Sequence, residues 1–170
     1  TFSTALTLAR QAAITQRQYI YVIIPDNNPA LFSANPREAE KAYKAFAPYS
    51  RKDGYMAEWT MLPPGIVFNP TFAVGLAATR NIFVKDALID DLPFPLNNSA
   101  LFKLHATCYR PDGATTLGNT PFAIYMGEGI TETDLNAGTA SAPVIKPNTP
   151  TMEFNVHPLT GRIRTREYTQ

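Results

Sequence analysis

The first eighteen residues, TFSTALTLARQAAITQRQ, set Phe2, Leu6, Ala9 and Ala13 three and four apart with Ile14 beside them, so the spacing predicts a helix over 1–18 with one apolar stripe. The segment holds no Gly or Pro. At 1.5 Å per residue it would be roughly 27 Å long. Residues 19–24, YIYVII, are β-branched and aromatic and are stopped by Pro25, Asp26, Asn27, Asn28 and Pro29, which predicts a strand and then a loop. Residues 36–53 carry two patterns, helix-forming composition over 37–47 and alternation of Tyr43, Ala45 and Ala47 with Lys44. A short helical turn running into a strand is expected. Residues 55–62 alternate as a strand, Pro63, Pro64 and Gly65 turn the chain, and Ile66, Val67 and Phe68 form the next strand.

Residues 71–101 mix Gly, Pro, Asn and acids and read as irregular, with strand character only at 82–84. Phe102, Leu104, Ala106 and Cys108 then alternate with Lys103, His105, Thr107 and Tyr109, which predicts a strand with one buried face, closed by the turn Pro111-Asp112-Gly113. Phe122, Ile124 and Met126 repeat the alternation, and 133–150 reads as a loop of small residues. Met152, Phe154 and Val156 alternate, 157–161 turns, and 163–168 returns as an edge strand. One helix followed by seven or eight short strands predicts an α+β class with antiparallel pairing. The whole of 1–170 is expected to be one domain, 1–18 helical and 19–170 β-rich, with Trp59, Phe68, Phe102, Leu104, Phe122, Ile124 and Phe154 in its core.

Composition narrows the chemistry. Charged residues are 17% of the 170, against roughly 25% in ordinary domains, and the net charge is +1, so no global field favours nucleic acid or an anionic membrane. The charge is nevertheless uneven: residues 1–84 carry 8 basic and 5 acidic side chains, 85–134 carry 3 and 7, and 135–170 carry 4 and 2. A single Cys, Cys108, excludes an internal disulfide and a Cys-rich zinc site, and its place on the apolar face of its strand makes it a buried small residue rather than a nucleophile. His105, on the polar face of the same strand, and His157, beside a turn, read as surface or structural histidines. There is no Gly-x-Ser-x-Gly element and no glycine-rich phosphate loop, so no catalytic residue and no cofactor is expected. Asp134, Asn136 and Gly138 have the spacing that opens a calcium loop, but the later bidentate carboxylate is missing, and Asp86, Asp90 and Asp91 read as a solvated acidic loop. No metal site is expected. Arg162, Arg164 and Arg166 alternate, so on a strand all three face one side, suited to phosphates, to a neighbour's acids or to protecting a sheet edge.

Several of these segments, in this order, resemble the GspH/FimT family of minor pilins and pseudopilins. The helix with Phe2, Ala5-Leu6, Ala9-Arg10 and Ala13-Ile14 resembles the membrane-distal half of a pilin helix. Trp59 followed by Leu62-Pro63-Pro64-Gly65-Ile66-Val67-Phe68, Phe102 to Cys108 before Arg110-Pro111-Asp112-Gly113, and Gly161-Arg162-Ile163-Arg164 resemble the family's later elements. The resemblance implies a type IV pilin-like fold, an N-terminal helix on antiparallel sheets. It also implies a structural subunit of a type IV pilus or type II secretion pseudopilus. Phe2, Leu6, Ala9 and Ala13 would then pack on the subunit's own sheet or on neighbouring pilin helices. A hydrophobic segment upstream of Thr1 would anchor the full-length protein in the bacterial inner membrane, with the β-domain in the periplasm or outside the cell. In a DNA-uptake minor pilin, the alternative within the family, Arg162 and Arg164 would contact DNA. A stand-alone ligand-binding β-module is a third expectation.

Overall fold

A computed structural model describes residues 1–72, 80–83, 88–95, 100–116 and 121–169. Helix α1 (Phe2–Gln16) begins at Thr1, whose hydroxyl accepts from the Thr4 amide at 3.4 Å, and ends at Arg17 in the left-handed region (φ 53°). All four residues of the stripe, Phe2, Leu6, Ala9 and Ala13, are buried. Ile14 is not; it sits at the margin, 39% exposed.

The strands follow in chain order: β1 (Ile20–Ile24), β2 (Ala45–Ser50), β3 (Gly54–Tyr55), β4 (Thr60–Met61), β5 (Ile66–Phe68), β6 (Arg80–Asn81), β7 (Leu88–Pro93), β8 (Leu101–Tyr109), β9 (Phe122–Ile130), β10 (Thr133–Asp134), β11 (Thr139–Ala140), β12 (Val144–Ile145), β13 (Pro150–Val156) and β14 (Ile163–Thr169). Two 3-10 turns, Pro29–Phe32 and Pro36–Lys41, lie between β1 and β2, each opened by an Asn cap and a Pro. The first sheet has the order β3-β2-β1-β8-β7, with β4 also on β2. The second is built on β9, which pairs with β5, β6, β12 and β13, while β13 carries β14 at the edge. Apart from the parallel β6–β9 pair, these pairings are antiparallel.

α1 is held between the two sheets. The Phe2 ring meets Phe46 of the first sheet and Phe68 and Phe154 of the second edge to face, at centroid distances of 4.9, 5.1 and 5.2 Å. Ala9 and Ala13, one turn apart and without bulk, let strands approach the helix closely.

The expectation of an α+β, type IV pilin-like fold is overturned. Of the described residues 43% are in strands and 17% in helices, so the architecture is mostly β, with a single N-terminal helix and several antiparallel sheets that form a half-barrel. The physical reason lies in segments read as irregular. Residues 71–101 supply β6 and β7, and 133–150 supplies β10, β11 and β12, each ordered by a partner strand rather than by its own apolar period. Val84 and Asp86 lie outside the described residues.

Other departures are local. Residues 55–62 form not one strand but the ends of two, β3 and β4, both on β2. In β8 both faces are buried from Leu104 to Tyr109, because β8 is central and its two sides are covered by different groups. His105, Thr107 and Tyr109, in register with Ile24, Val22 and Ile20, share the face that meets α1 and the second sheet. Tyr21 and Cys108 share the opposite face, where Phe32, Phe94, Trp59, Tyr55 and Tyr49 form a chain of ring contacts at 5.2–5.9 Å. Trp59 and Phe102 are half-buried at the edge of the core.

Candidate functional site

Arg10 is the one ionisable side chain between Phe2 and Gln16. Its Nε donates to the carbonyl of Thr160 at 2.7 Å and is 3.3 Å from that of Gly113. Both carbonyls belong to tight turns. Gly113 (φ 81°) closes the Pro111-Asp112-Gly113 turn, and Gly161 (φ 61°) closes the turn after β13, its amide donating to the His157 carbonyl at 2.8 Å. A methyl group on Gly161 would strike the Gly113 carbonyl oxygen, and one on Gly113 would lie 2.9 Å from Ile14 Cδ1. The two turn motifs therefore fit against each other and against the last turns of α1, with the guanidinium as the clip.

Immediately beyond that junction, the alternation of β14 places Arg164 and Arg166 on one face, and Arg162, just before the strand, lines the same groove with them. Arg164 stands opposite Asn155 and Arg166 opposite Glu153 on β13. With Pro121, His157 and Thr160 they line a groove of about 520 Å³. Glu153 is buried at 2% exposure beneath this face and accepts from Asn155 Nδ2 at 3.0 Å. Farther along, Phe72 covers the same sheet face, its ring 4.8 Å from Tyr125 and 5.9 Å from Tyr168. Among the described residues, the groove is the part of that face left open.

α1 presents a second stripe. Thr4, Leu8, Gln11 and Thr15 are exposed and spaced four, three and four, and none is charged. The hydroxyls of Thr7 and Thr15 each donate to the carbonyl four residues earlier at 2.9 Å, and Thr4 and Thr1 share a hydroxyl bond of 2.7 Å. These hydroxyls would stay paired if the surface lost water, and the Gln11 amide is the one group on the stripe that would need a partner.

The remaining candidates resolve into structure. His105 is 5% exposed rather than on a wet face; Nε2 is 3.2 Å from Asp26 Oδ2, Nδ1 is 3.0 Å from the Ile82 carbonyl, and the Phe83 ring lies 5.0 Å away. It pins the loop after β1 to the segment after β6. Burial pushes the Cys108 thiol up, against hydrogen bonds from Thr116 and Tyr21, which disfavours a thiolate. Asp134 Oδ1 accepts from the Asn136 and Ala137 amides at 2.9 and 3.0 Å, which holds its carboxyl below the usual range. The calcium-like spacing is thus the turn chemistry of the β10–β11 hairpin, whose Gly138 (φ 64°) packs on Pro36. Asp90 and Asp91 sit in a bulge of β7; Asp90 pairs with Lys103 at 3.0 Å, and both ends are exposed. Among the described residues, no three His, Cys, Asp or Glu side chains form a metal-binding group, and no helix is long and apolar enough to cross a membrane.

Of the residues singled out by sequence, the structure brings Arg162, Arg164, Arg166 and His157 together and buries Phe2, Leu6, Ala9 and Ala13 under the chain's own sheets. Arg10, Asn155 and the outer stripe of α1 were not singled out as a site. A lone charge in an otherwise neutral helix is the signal that points to Arg10. No family model, no curated protein and no solved structure matches this chain.

Proposed function

We propose that the chain is a non-enzymatic structural subunit that works by assembly, in the manner of a minor pilin or pseudopilin at a type IV pilus or type II secretion pseudopilus. The observation that carries this reading is the outer stripe of α1. A helix face bearing Thr4, Leu8, Gln11 and Thr15 with no ionised group, about 17 Å from end to end, is unlike a surface kept only for water. Because Phe2, Leu6, Ala9 and Ala13 are occupied within the subunit, a neighbouring helix would dock on the opposite stripe. The resemblance of Gly113 and Gly161-Arg162 to family motifs supports the same reading, since those turns clamp the helix in place.

A photo-reactive residue at Leu8, introduced in the producing cell, is expected to cross-link to another filament subunit, while the same residue at exposed Leu101 of the first sheet is not. No cross-link at Leu8, together with unchanged assembly of Leu8→Asp, would overturn the reading. A second reading, contact with DNA, is favoured by one observation, the three arginines lining a single groove. Three phosphate contacts would give binding whose logarithm falls with log salt at a slope of about −2.7. Gel retardation at low salt that disappears with Arg162→Ala, Arg164→Ala and Arg166→Ala supports it; no retardation of the unaltered protein removes it.

A further inference from the structure

The second sheet is electrically polarised along β9. At its start lies the arginine groove, lined by Pro121 immediately before the strand. Past its other end the β10–β11 hairpin packs on the Pro29–Phe32 and Pro36–Lys41 turns and keeps Glu132, just before β10, and Asp134 exposed. Through β13, Arg164 is level with Ala123 and Arg166 with Tyr125, so the five residues of β9 from 126 to 130, roughly 17 Å at 3.4 Å per residue, separate the nearest arginine from the end of the strand. Between them Glu128 is paired with Lys146 at 3.1 Å, and the one acid on the groove's face, Glu153, is buried opposite Arg166 and accepts from Asn155. Beside the hairpin, the Pro36–Lys41 turn balances Arg37 and Lys41 against Glu38 and Glu40. Among the described residues, Arg162, Arg164 and Arg166 have no salt-bridge partner, and neither do Glu132 and Asp134. The sequence spacings also match, since Arg162, Arg164 and Arg166 are two apart and so are Glu132 and Asp134.

From this we infer that the arginine groove receives the acidic β10–β11 hairpin of a second copy of the chain. Groove and hairpin are different surfaces, so one such contact leaves a free groove and a free hairpin on the pair, and repeated from copy to copy it builds a ring or an open filament. The inference deepens the assembly reading and rests on it, but uses a surface separate from α1.

Sedimentation velocity separates the outcomes. The unaltered chain is expected to form dimers and longer species at low salt and to dissociate at high salt, because exposed charge pairs are screened. One variant carries Arg162→Gln, Arg164→Gln and Arg166→Gln; the other carries Glu132→Gln and Asp134→Asn, the Asn keeping the oxygen that caps the hairpin turn. Each alone should associate about tenfold more weakly or less. Mixed, they should form a one-to-one dimer and nothing longer, because only one good groove meets one good hairpin. A monomeric unaltered chain at low salt overturns the inference, as does association that survives in both variants, or a mixture that stays monomeric. DNA retardation by an unaltered chain that does not self-associate assigns the groove to nucleic acid instead. Should either variant lose its circular dichroism spectrum, Arg164→Glu and Glu132→Lys replace them, with association lost in each and restored in the mixture. Failure here with a positive Leu8 cross-link leaves the helix reading standing, and the reverse result removes only that reading.

Discussion

The two large sheets are built from similar residues and put to different use. β1 and the inner half of β8 are covered on both faces, by α1 with the second sheet on one side and by the Phe32–Phe94–Trp59 rings on the other. The second sheet packs one face on α1, and among the described residues only the middle of its other face is covered, leaving β14 and its arginines open. Their edges differ in the same sense. β7 is blunted by a bulge with Asp91 in the left-handed region and by Pro93, and Arg51 caps the Asp90 carbonyl at 3.1 Å. β14 has seven paired residues, no bulge and no proline. A sheet closed on every side is scaffold; the open face and edge are where partners can be read.

The largest break in this comparison is Phe2→Ala, which removes the ring that joins the sheets. Loss of about 3–5 kcal/mol is expected, measured as a lower urea midpoint. Gly161→Ala strikes the junction itself: the left-handed backbone costs about 1–3 kcal/mol and the clash with the Gly113 carbonyl adds to it, seen as a fall in Tm. Arg10→Met keeps bulk and removes the clip, with an expected loss of about 1.5–3 kcal/mol in the same measurement.

Alkaline titration sharpens the contrast between covered and open faces. Burial, with Asp26 adding to it, pushes the Tyr43 phenol up to about 12, and burial with Glu153 pushes Tyr125 to about 12; Tyr55 and Tyr109 are raised further by burial. Raised values mean that the folded state favours the neutral phenol. That stabilisation is complete below pH 10.0, the ordinary value, and is lost as pH rises toward about 12. Phenolate absorbance should therefore lag in the native chain relative to the urea-unfolded one across that window; coincident curves would show that these rings are not enclosed.

The sequence exposes some of this plainly. The α1 stripe, the run of β1 and the facing of the three arginines follow from periods of 3.6 and 2 in residues that obey them. The rest depends on long-range company. β6, β10, β11 and β12 have two residues each, too few for any period, and exist because β9 or a sister strand pairs with them. The alternation of β8 is real, yet it does not mark an inside and an outside, because aromatic rings from residues 32, 59 and 94 cover the second face. His105 falls on the polar side of that alternation, and the structural one of its two readings holds, through Asp26, nearly eighty residues away in the chain. Arg10 could be suspected as a lone charge, but its partners at 113 and 160 are visible only once the turns meet.

The division between scaffold and contact surface is tested most directly by measuring Tm and sedimentation together on the variant with Arg162→Gln, Arg164→Gln and Arg166→Gln. The prediction is a Tm near that of the unaltered chain, each exposed change staying within about 0.5 kcal/mol, with self-association lost. A Tm lowered as far as by Arg10→Met, with association intact, would contradict it and make β14 part of the scaffold.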